Sequence, residues 1–108
     1  MKLKEPLTES YFYILLCLYQ GPKHGYGVMQ QTQELSGGRV KIGSGTMYGA
    51  TSNMMKKGWI EECMDMADGE RRRSYRLTDE GRAVLQAERE RLKELVDNAD
   101  RLMGGESL

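Results

Sequence analysis

The sequence predicts a mainly α-helical protein with one small β-hairpin and a long C-terminal helix. Three segments with helical spacing are separated by breaks that contain Gly or Pro. Two short strand-like segments with a basic turn between them follow the helices. A last helical segment then runs from Thr78 to about Met103, where Gly104 and Gly105 end it.

The first two helices are short and end at glycines. Thr8 is suited to be the N-cap of a mostly apolar helix over residues 8–19, which Gly21 and Pro22 terminate. A second helix is predicted over residues 26–35. Its buried stripe consists of residues spaced three or four apart, namely Val28, Met29, Thr32 and Leu35.

The third helix is predicted from Ser44, as its N-cap, to Lys57, with Gly58 as the C′ residue. Strands over 59–66 and 71–78 enclose a turn at 67–70, and Thr78 caps the last helix. Three helices followed by a hairpin describe a winged helix-turn-helix, in which the third helix enters the DNA major groove and the hairpin is the wing. We therefore assign residues 1–78 to this DNA-binding domain and residues 79–108 to a C-terminal dimerisation helix.

The third helix has two different faces. At 100° per residue, Met47, Ala50, Thr51, Met54 and Gly58 form one semi-apolar stripe that is expected to pack on the first two helices. Small or basic residues form the opposite face, which consists of Gly45, Gly49, Ser52 and Lys56.

A glycine inside a helix lowers its stability by about 1 kcal/mol relative to alanine. The two glycines on this face therefore require an explanation. Close approach of the helix backbone to DNA is one reason, because helix N-termini and small hydroxyls bind phosphate oxygens. Asn53 is suited to read adenine, Lys56 a guanine or a phosphate, and Tyr48 to donate its hydroxyl to a phosphate. Alternatively, the glycines serve packing or flexibility.

The densest basic run of the chain, Arg71-Arg72-Arg73, follows Gly69-Glu70 in the predicted hairpin. Arginines at this place would reach along the DNA backbone or into a narrow minor groove. The alternative is an ordinary solvated edge, since charged residues on edge strands also prevent aggregation.

Charge is distributed unevenly along the 108 residues, although the net charge is zero. Residues 36–77 carry eight Lys/Arg against five Asp/Glu (+3), and residues 78–108 carry five against eight (−3). A basic middle and an acidic tail indicate where a polyanion would bind.

Catalytic and metal-binding patterns are not found. Cys17 and Cys63 are far apart and His24 is the single histidine, so neither zinc-type spacing nor a nucleophile–base set exists. We expect no enzyme activity, no metal and no cofactor. The two cysteines are expected to be structural thiols, and a redox switch is the alternative. Residues 1–10 lack the apolar run of a signal peptide, and the longest apolar stretch, 11–19, is too short to span a bilayer. A soluble, cytoplasmic protein is expected.

Three motifs together resemble the PadR family of transcriptional regulators over residues 7–82: HGYG (24–27), SGTMYGATSNMMKKGWI (44–60) and DGERRRSYRLTDEG (68–81). The short tail resembles the members with a single C-terminal helix. The resemblance implies a dimeric winged-helix repressor that binds a pseudo-palindromic operator in double-stranded DNA and is usually controlled by a small-molecule effector.

By position, Tyr48 matches the family tyrosine near the DNA backbone, Thr46 a DNA-contacting position, and Gly69 with the arginines the wing. This sequence departs from the family pattern at Gly49, where proline is usual, and at Thr51 and Met55. His24 is expected to pack or hydrogen-bond at the turn before the second helix, or to tune pH sensitivity. The complete predicted DNA-binding set is Ser44, Gly45, Thr46, Tyr48, Gly49, Ser52, Asn53, Lys56, Arg71, Arg72 and Arg73.

Apolar residues of the last helix recur at nearly heptad spacing, with Glu88 as the exception. A homodimer would cover this stripe; alternatively, the helix folds back on its own domain. The predicted dimerisation residues are Leu85, Leu92, Leu95, Val96, Ala99 and Leu102. No effector-pocket residues are assigned, and Trp59 is expected to pack in the core. A winged-helix adaptor that binds proteins and no specific DNA is the alternative function.

Overall fold

A computed structural model describes residues 5–67 and 70–104, with the backbone alone at 65–67 and 70. Within these ranges the chain forms four helices and a three-stranded antiparallel sheet. The winged helix-turn-helix order predicted from the sequence is confirmed. The elements in chain order are α1 (Glu9–Leu18), β1 (Lys23–His24), α2 (Gly25–Leu35), α3 (Ser44–Lys56), β2 (Ile60–Ala67), β3 (Glu70–Leu77) and α4 (Asp79–Leu102).

The sheet has the order β1-β3-β2, with β3 in the centre. Strands β2 and β3 form the predicted hairpin, in register from Ile60 opposite Leu77 to Ala67 opposite Glu70. The predicted turn over 67–70 was too wide, because its first and last residues continue the strands. Its middle residues, 68 and 69, lie outside the described residues.

Strand β1 was not predicted from the sequence. It has two residues, Lys23 opposite Tyr75 and His24 opposite Ser74. A strand of two residues has no recognisable periodicity, so its pairing with β3 decides its conformation.

Two threonine caps were predicted correctly. The Thr8 Oγ1 accepts a hydrogen bond from the Tyr11 amide at 3.2 Å, and the Thr78 Oγ1 accepts one from the Gly81 amide at 3.0 Å. The prediction for Ser44 was wrong, since it is the first helical residue and Gly43 occupies the N-cap without a side-chain bond. Gly58, with φ of +77°, is the left-handed residue that ends α3, as predicted.

The core forms between α1, α2, α3 and the base of the sheet. Four of the five residues of the predicted α3 stripe are buried and Gly58 is half-buried, while Val28 and Thr32 of α2 are buried. Leu35 was wrongly assigned to the buried stripe, because 53% of it is exposed at the end of α2. The Cys17 thiol lies 3.7 Å from the Thr32 hydroxyl, and its burial raises the pKa of the thiol.

The core continues into the first turns of α4, past the boundary predicted at residue 78. Gly81 and Leu85 are buried there, the latter with 4% exposed. Leu85 must therefore be removed from the predicted dimer surface, since it packs inside its own domain. A Cβ at position 81 would overlap the Trp59 carbonyl oxygen, so α4 and the start of β2 approach each other as closely as glycine allows.

Glu88 breaks the heptad pattern because it has a polar role inside the domain. Its carboxylate is buried, accepts the Leu7 amide at 3.0 Å, and is hydrogen-bonded to Arg91 through two bonds of 2.8 Å. The bonds to Arg91 lower the pKa of Glu88 most; burial opposes this and the Leu7 amide lowers the pKa further. Glu88 thus fastens the segment before α1 onto α4.

Gly81→Ala is expected to lower the free energy of unfolding by about 2 kcal/mol, because the added methyl must push α4 away from the backbone of Trp59, just before β2. Chemical denaturation measures this. Gln86→Ala, at an exposed position of the same helix, is the control and should change stability by less than about 0.5 kcal/mol. Equal effects of the two substitutions would contradict the close approach.

Glu88→Gln is expected to destabilise the protein at neutral pH by about 1–2 kcal/mol, because it removes a buried charged acceptor. The folded-state pKa of Glu88 is lowered. The stabilisation is therefore complete above the pKa of an unfolded glutamate, about 4.3, and is lost as the pH falls through the lower folded-state value. Denaturation midpoints between neutral and acidic pH should converge for wild type and variant. Glu90→Gln, at an exposed position, is the control, and a pH-independent gap would contradict this role.

Candidate nucleic-acid interface

The outer face of α3 is open to solvent. For Gly45 and Gly49, apart from the adjacent residues and the backbone of the same helix, no described atom lies within 4 Å of the place that a Cβ would take. The alternative that these glycines pack against another part of the chain therefore finds no contact among the described residues. Ser44, Thr46 and Tyr48 are exposed beside them, and 71% of the tyrosine is accessible.

The C-terminal half of this face is less open. Lys56 is exposed and Ser52 is half-buried. Asn53 is half-buried as well, and its Nδ2 donates to the Tyr11 hydroxyl at 3.0 Å. This bond ties α3 to α1 and occupies one amide hydrogen, which leaves Asn53 its carbonyl oxygen and a second hydrogen.

The alternation of side chains along β3 separates the three wing arginines. Arg71 and Arg73 project to one side and Arg72 to the other, because successive side chains of a strand point to opposite faces. Arg71 and Arg73 are exposed, whereas Arg72 is half-buried. The sequence alone predicts the three arginines as one basic run.

Glutamates of β2 lie next to the wing cations. The Arg73 Nε is 2.5 Å from a Glu62 carboxylate oxygen, and both side chains are largely in solvent. Arg76, which was not among the predicted residues, pairs with Glu61 at 2.7 Å in the same way. Exposed pairs of this kind exchange partners at little cost, so the arginines remain available to an anionic ligand.

His24 lies where β1 meets α2. It occupies the N-cap position of α2 without a capping bond from its side chain. Its Nε2 lies 3.3 Å from Nη1 of Arg72, within hydrogen-bond distance. The sequence predicts that His24 packs or hydrogen-bonds at this turn, and the polar group found within hydrogen-bond distance lies 48 residues away in the wing.

The second half of α4 leaves the domain and exposes apolar side chains. Leu92 is half-buried in a groove with Leu7, Phe12 and Tyr13 of the α1 region. The other four predicted dimerisation residues are exposed, and their role stays a prediction: Leu95, Val96, Ala99 and Leu102. Trp59 packs against the core, as predicted.

Two further findings apply to residues 5–67 and 70–104. No cluster of three or more His, Cys, Asp or Glu there has the arrangement of metal ligands. None of the helices has both the length and the apolar character that crossing a bilayer requires.

A family model and a curated relative both relate this chain to transcriptional regulators. Residues 14–87 match the transcriptional regulator PadR-like family. A transcriptional regulator of Mycobacterium tuberculosis is 37% identical over 76 residues, which cover 70% of this chain and 68% of that protein.

Solved structures share the fold. A PadR-like transcriptional regulator from Bacillus cereus superimposes with a TM-score of 0.76 at 23% identity, covering 89% of this chain and 92% of that one. Bacillus subtilis PadR, solved in complex with operator DNA, superimposes with a TM-score of 0.62 at 22% identity, covering 71% and 44%. By its sequence match over most of its length, this chain belongs to the PadR-like family of transcriptional regulators.

Proposed function

We propose that this regulator binds a pseudo-palindromic DNA operator sequence-specifically, as a homodimer that represses transcription and is released by a small-molecule effector. The observation that carries the proposal is the exposed face of α3, where no other described part of the chain approaches Gly45 or Gly49, on the same domain as exposed wing arginines. The Bacillus subtilis relative with the same fold was solved with operator DNA, which supports DNA as the partner.

In this proposal, the first turns of α3 approach the DNA with their backbone. The helix N-terminus directs unpaired amides and the positive end of its dipole toward phosphates. Ser44 and Thr46 add hydroxyl donors, and Tyr48 reaches the DNA backbone. Further along the helix, Lys56 and the free groups of Asn53 are placed to contact base edges.

The wing supplies the sequence-independent part of the affinity. Arg71 and Arg73 are exposed on one face of β3. A DNA phosphate would replace Glu62 as the partner of Arg73, and this exchange releases a counterion from the DNA. Glu62 therefore competes with DNA and weakens binding in proportion to the strength of its ion pair.

Dimerisation would bring two such domains onto one site. The exposed apolar residues of α4 continue toward the groove beside Leu92. The α4 helix of a second copy could therefore cover the apolar residues and the groove together. Two recognition helices would then contact half-sites one helical turn apart or a multiple of it. Each domain adds its binding energy to the other, which raises the affinity far above that of one domain.

Repression and release by an effector rest on membership of the family rather than on a described pocket. Repeating the DNA-binding measurement with candidate small molecules tests the release. A decrease in affinity with rising compound concentration supports it, and unchanged binding across a broad compound set opposes it.

Specific DNA binding is measured by fluorescence anisotropy with duplexes from the upstream region of the gene and with scrambled duplexes. Arg73→Ala should weaken binding and reduce the salt slope by about 0.9, the value for one phosphate contact. Glu62→Gln should strengthen binding about two- to fivefold, because the competing pair is lost. Arg101→Ala, near the end of α4, is the control and should alter neither quantity.

Equal affinity for native and scrambled duplexes at physiological salt would rule out sequence-specific regulation. The adaptor alternative would then be tested by a pull-down with the same protein.

Gly49→Ala and Gly49→Leu separate folding from DNA binding. Both should raise the free energy of unfolding, the alanine by about 0.5–1 kcal/mol, because nothing described near position 49 obstructs a side chain. Both should weaken DNA binding, leucine more than alanine, because the backbone is held away from the DNA. Gln86→Leu on α4 is the control for DNA affinity. Stabilised variants that bind normally would show that close approach is not the reason for the glycine.

Val96→Asp is expected to convert the dimer into a monomer, because it places a charge in an apolar contact between two α4 helices. Sedimentation velocity measures the mass, and circular dichroism should show unchanged helix content, since Val96 is exposed within one chain. Lys93→Ala is the control on the same helix. A variant that remains dimeric would remove this stripe from the interface.

A further inference from the structure

Resting on the proposed DNA-binding function, we propose that His24 is a positioning residue for the wing. Its Nε2 accepts a hydrogen bond from the Arg72 guanidinium and so fixes the hairpin relative to the start of α2. Arg72 is then a structural member of the wing, while Arg71 and Arg73 contact the DNA.

The sheet places the two side chains on the same face. His24 is the register partner of Ser74, and Arg72 lies two residues before Ser74 on β3. Residues two apart on a strand share a face, which brings the imidazole and the guanidinium together. Both residues are half-buried, and Nη1 and Nε2 are 3.3 Å apart.

The hydrogen-bond donors of Arg72 determine which nitrogen of the His24 imidazole carries the proton. A guanidinium has five N–H donors and no acceptor, so Nε2 must be the unprotonated nitrogen. The neutral ring therefore has its proton on Nδ1.

The surroundings hold the ring in place. A Cβ at Gly27 would lie 3.2 Å from His24 Cε1 and 3.4 Å from Nδ1, so the imidazole packs against the backbone of the first turn of α2. Glycine at this position leaves the room that the ring needs. This explains two residues of the HGYG motif together, the histidine as acceptor and the second glycine as its support.

The contact matters because β1 is short. On the side that faces α2, the two residues of β1 paired to β3 give the hairpin a short backbone attachment. The bond from His24 to Arg72 adds a second attachment, on the side chains, close to the place where the wing leaves the domain.

The hydrogen bond is tested without DNA by nitrogen-15 NMR. The chain has one histidine, so the imidazole signals need no assignment. In alkaline buffer we expect Nδ1 to be protonated and Nε2 unprotonated, and Arg72→Ala should redistribute the proton between the two nitrogens. A wild-type ring protonated on Nε2, or one that does not respond to Arg72→Ala, would overturn the proposal.

The positioning role is tested by a double-mutant cycle on DNA affinity. His24→Leu and Arg72→Ala should each weaken binding about three- to tenfold, and the double variant should be no weaker than the weaker single variant. His24→Gln, which keeps an acceptor near Nε2, should restore most of the affinity. The salt slope should stay unchanged in His24→Leu, which a lost phosphate contact would not allow.

Arg71→Ala is the matched control, since its effect should add fully to that of His24→Leu. Additive losses for His24→Leu and Arg72→Ala would overturn the proposal, as would failure of the glutamine variant when circular dichroism shows it folded. If the wild type bound no operator, the proposed function would fail. The NMR measurement would still decide whether the bond exists.

Discussion

The junction at Thr78 is the constraint on which the arrangement of this protein depends. Its hydroxyl donates to the Gly58 carbonyl at 2.5 Å and accepts the Gly81 amide, while its own amide donates to the Trp59 carbonyl at 3.0 Å. The end of α3, the base of the hairpin and the start of α4 thus meet at one residue. Gly81 permits this by removing the side chain that would separate them. The helices α3 and α4 and the hairpin have fixed relative directions because they meet at this junction.

The sequence was sufficient to predict the helices, the hairpin and both faces of α3. Thr8 and Thr78 are strong capping signals, and the spacing of Met47, Ala50, Thr51 and Met54 identifies a buried stripe without ambiguity. The prediction of Ser44 as the N-cap was wrong because a good capping residue can also occupy the first helical position. The path of the preceding loop decides between the two positions.

What could not be predicted depends on contacts between distant parts of the chain. Strand β1 exists because β3 lies beside it, and Glu88 is buried because Leu7 and Arg91 satisfy its charge. Heptad spacing places Leu85 with the α4 stripe, yet the domain buries it. The unequal wing arginines follow from strand register, which the spacing of residues within one segment does not determine.

The uneven distribution of charge has a kinetic consequence. A helix of 24 residues extends about 36 Å, and α4 belongs to the segment with three excess negative charges, whereas α3 and the wing lie in the segment with three excess positive charges. A molecule of zero net charge thereby carries its excess positive and excess negative charges in different segments. In the field of DNA it would be turned so that its basic end arrives first, and encounters led by the acidic end would be repelled. Productive collisions would become more frequent because the protein is oriented before contact. A high positive net charge would also attract the protein to DNA, but it would bring nonspecific binding to other polyanions.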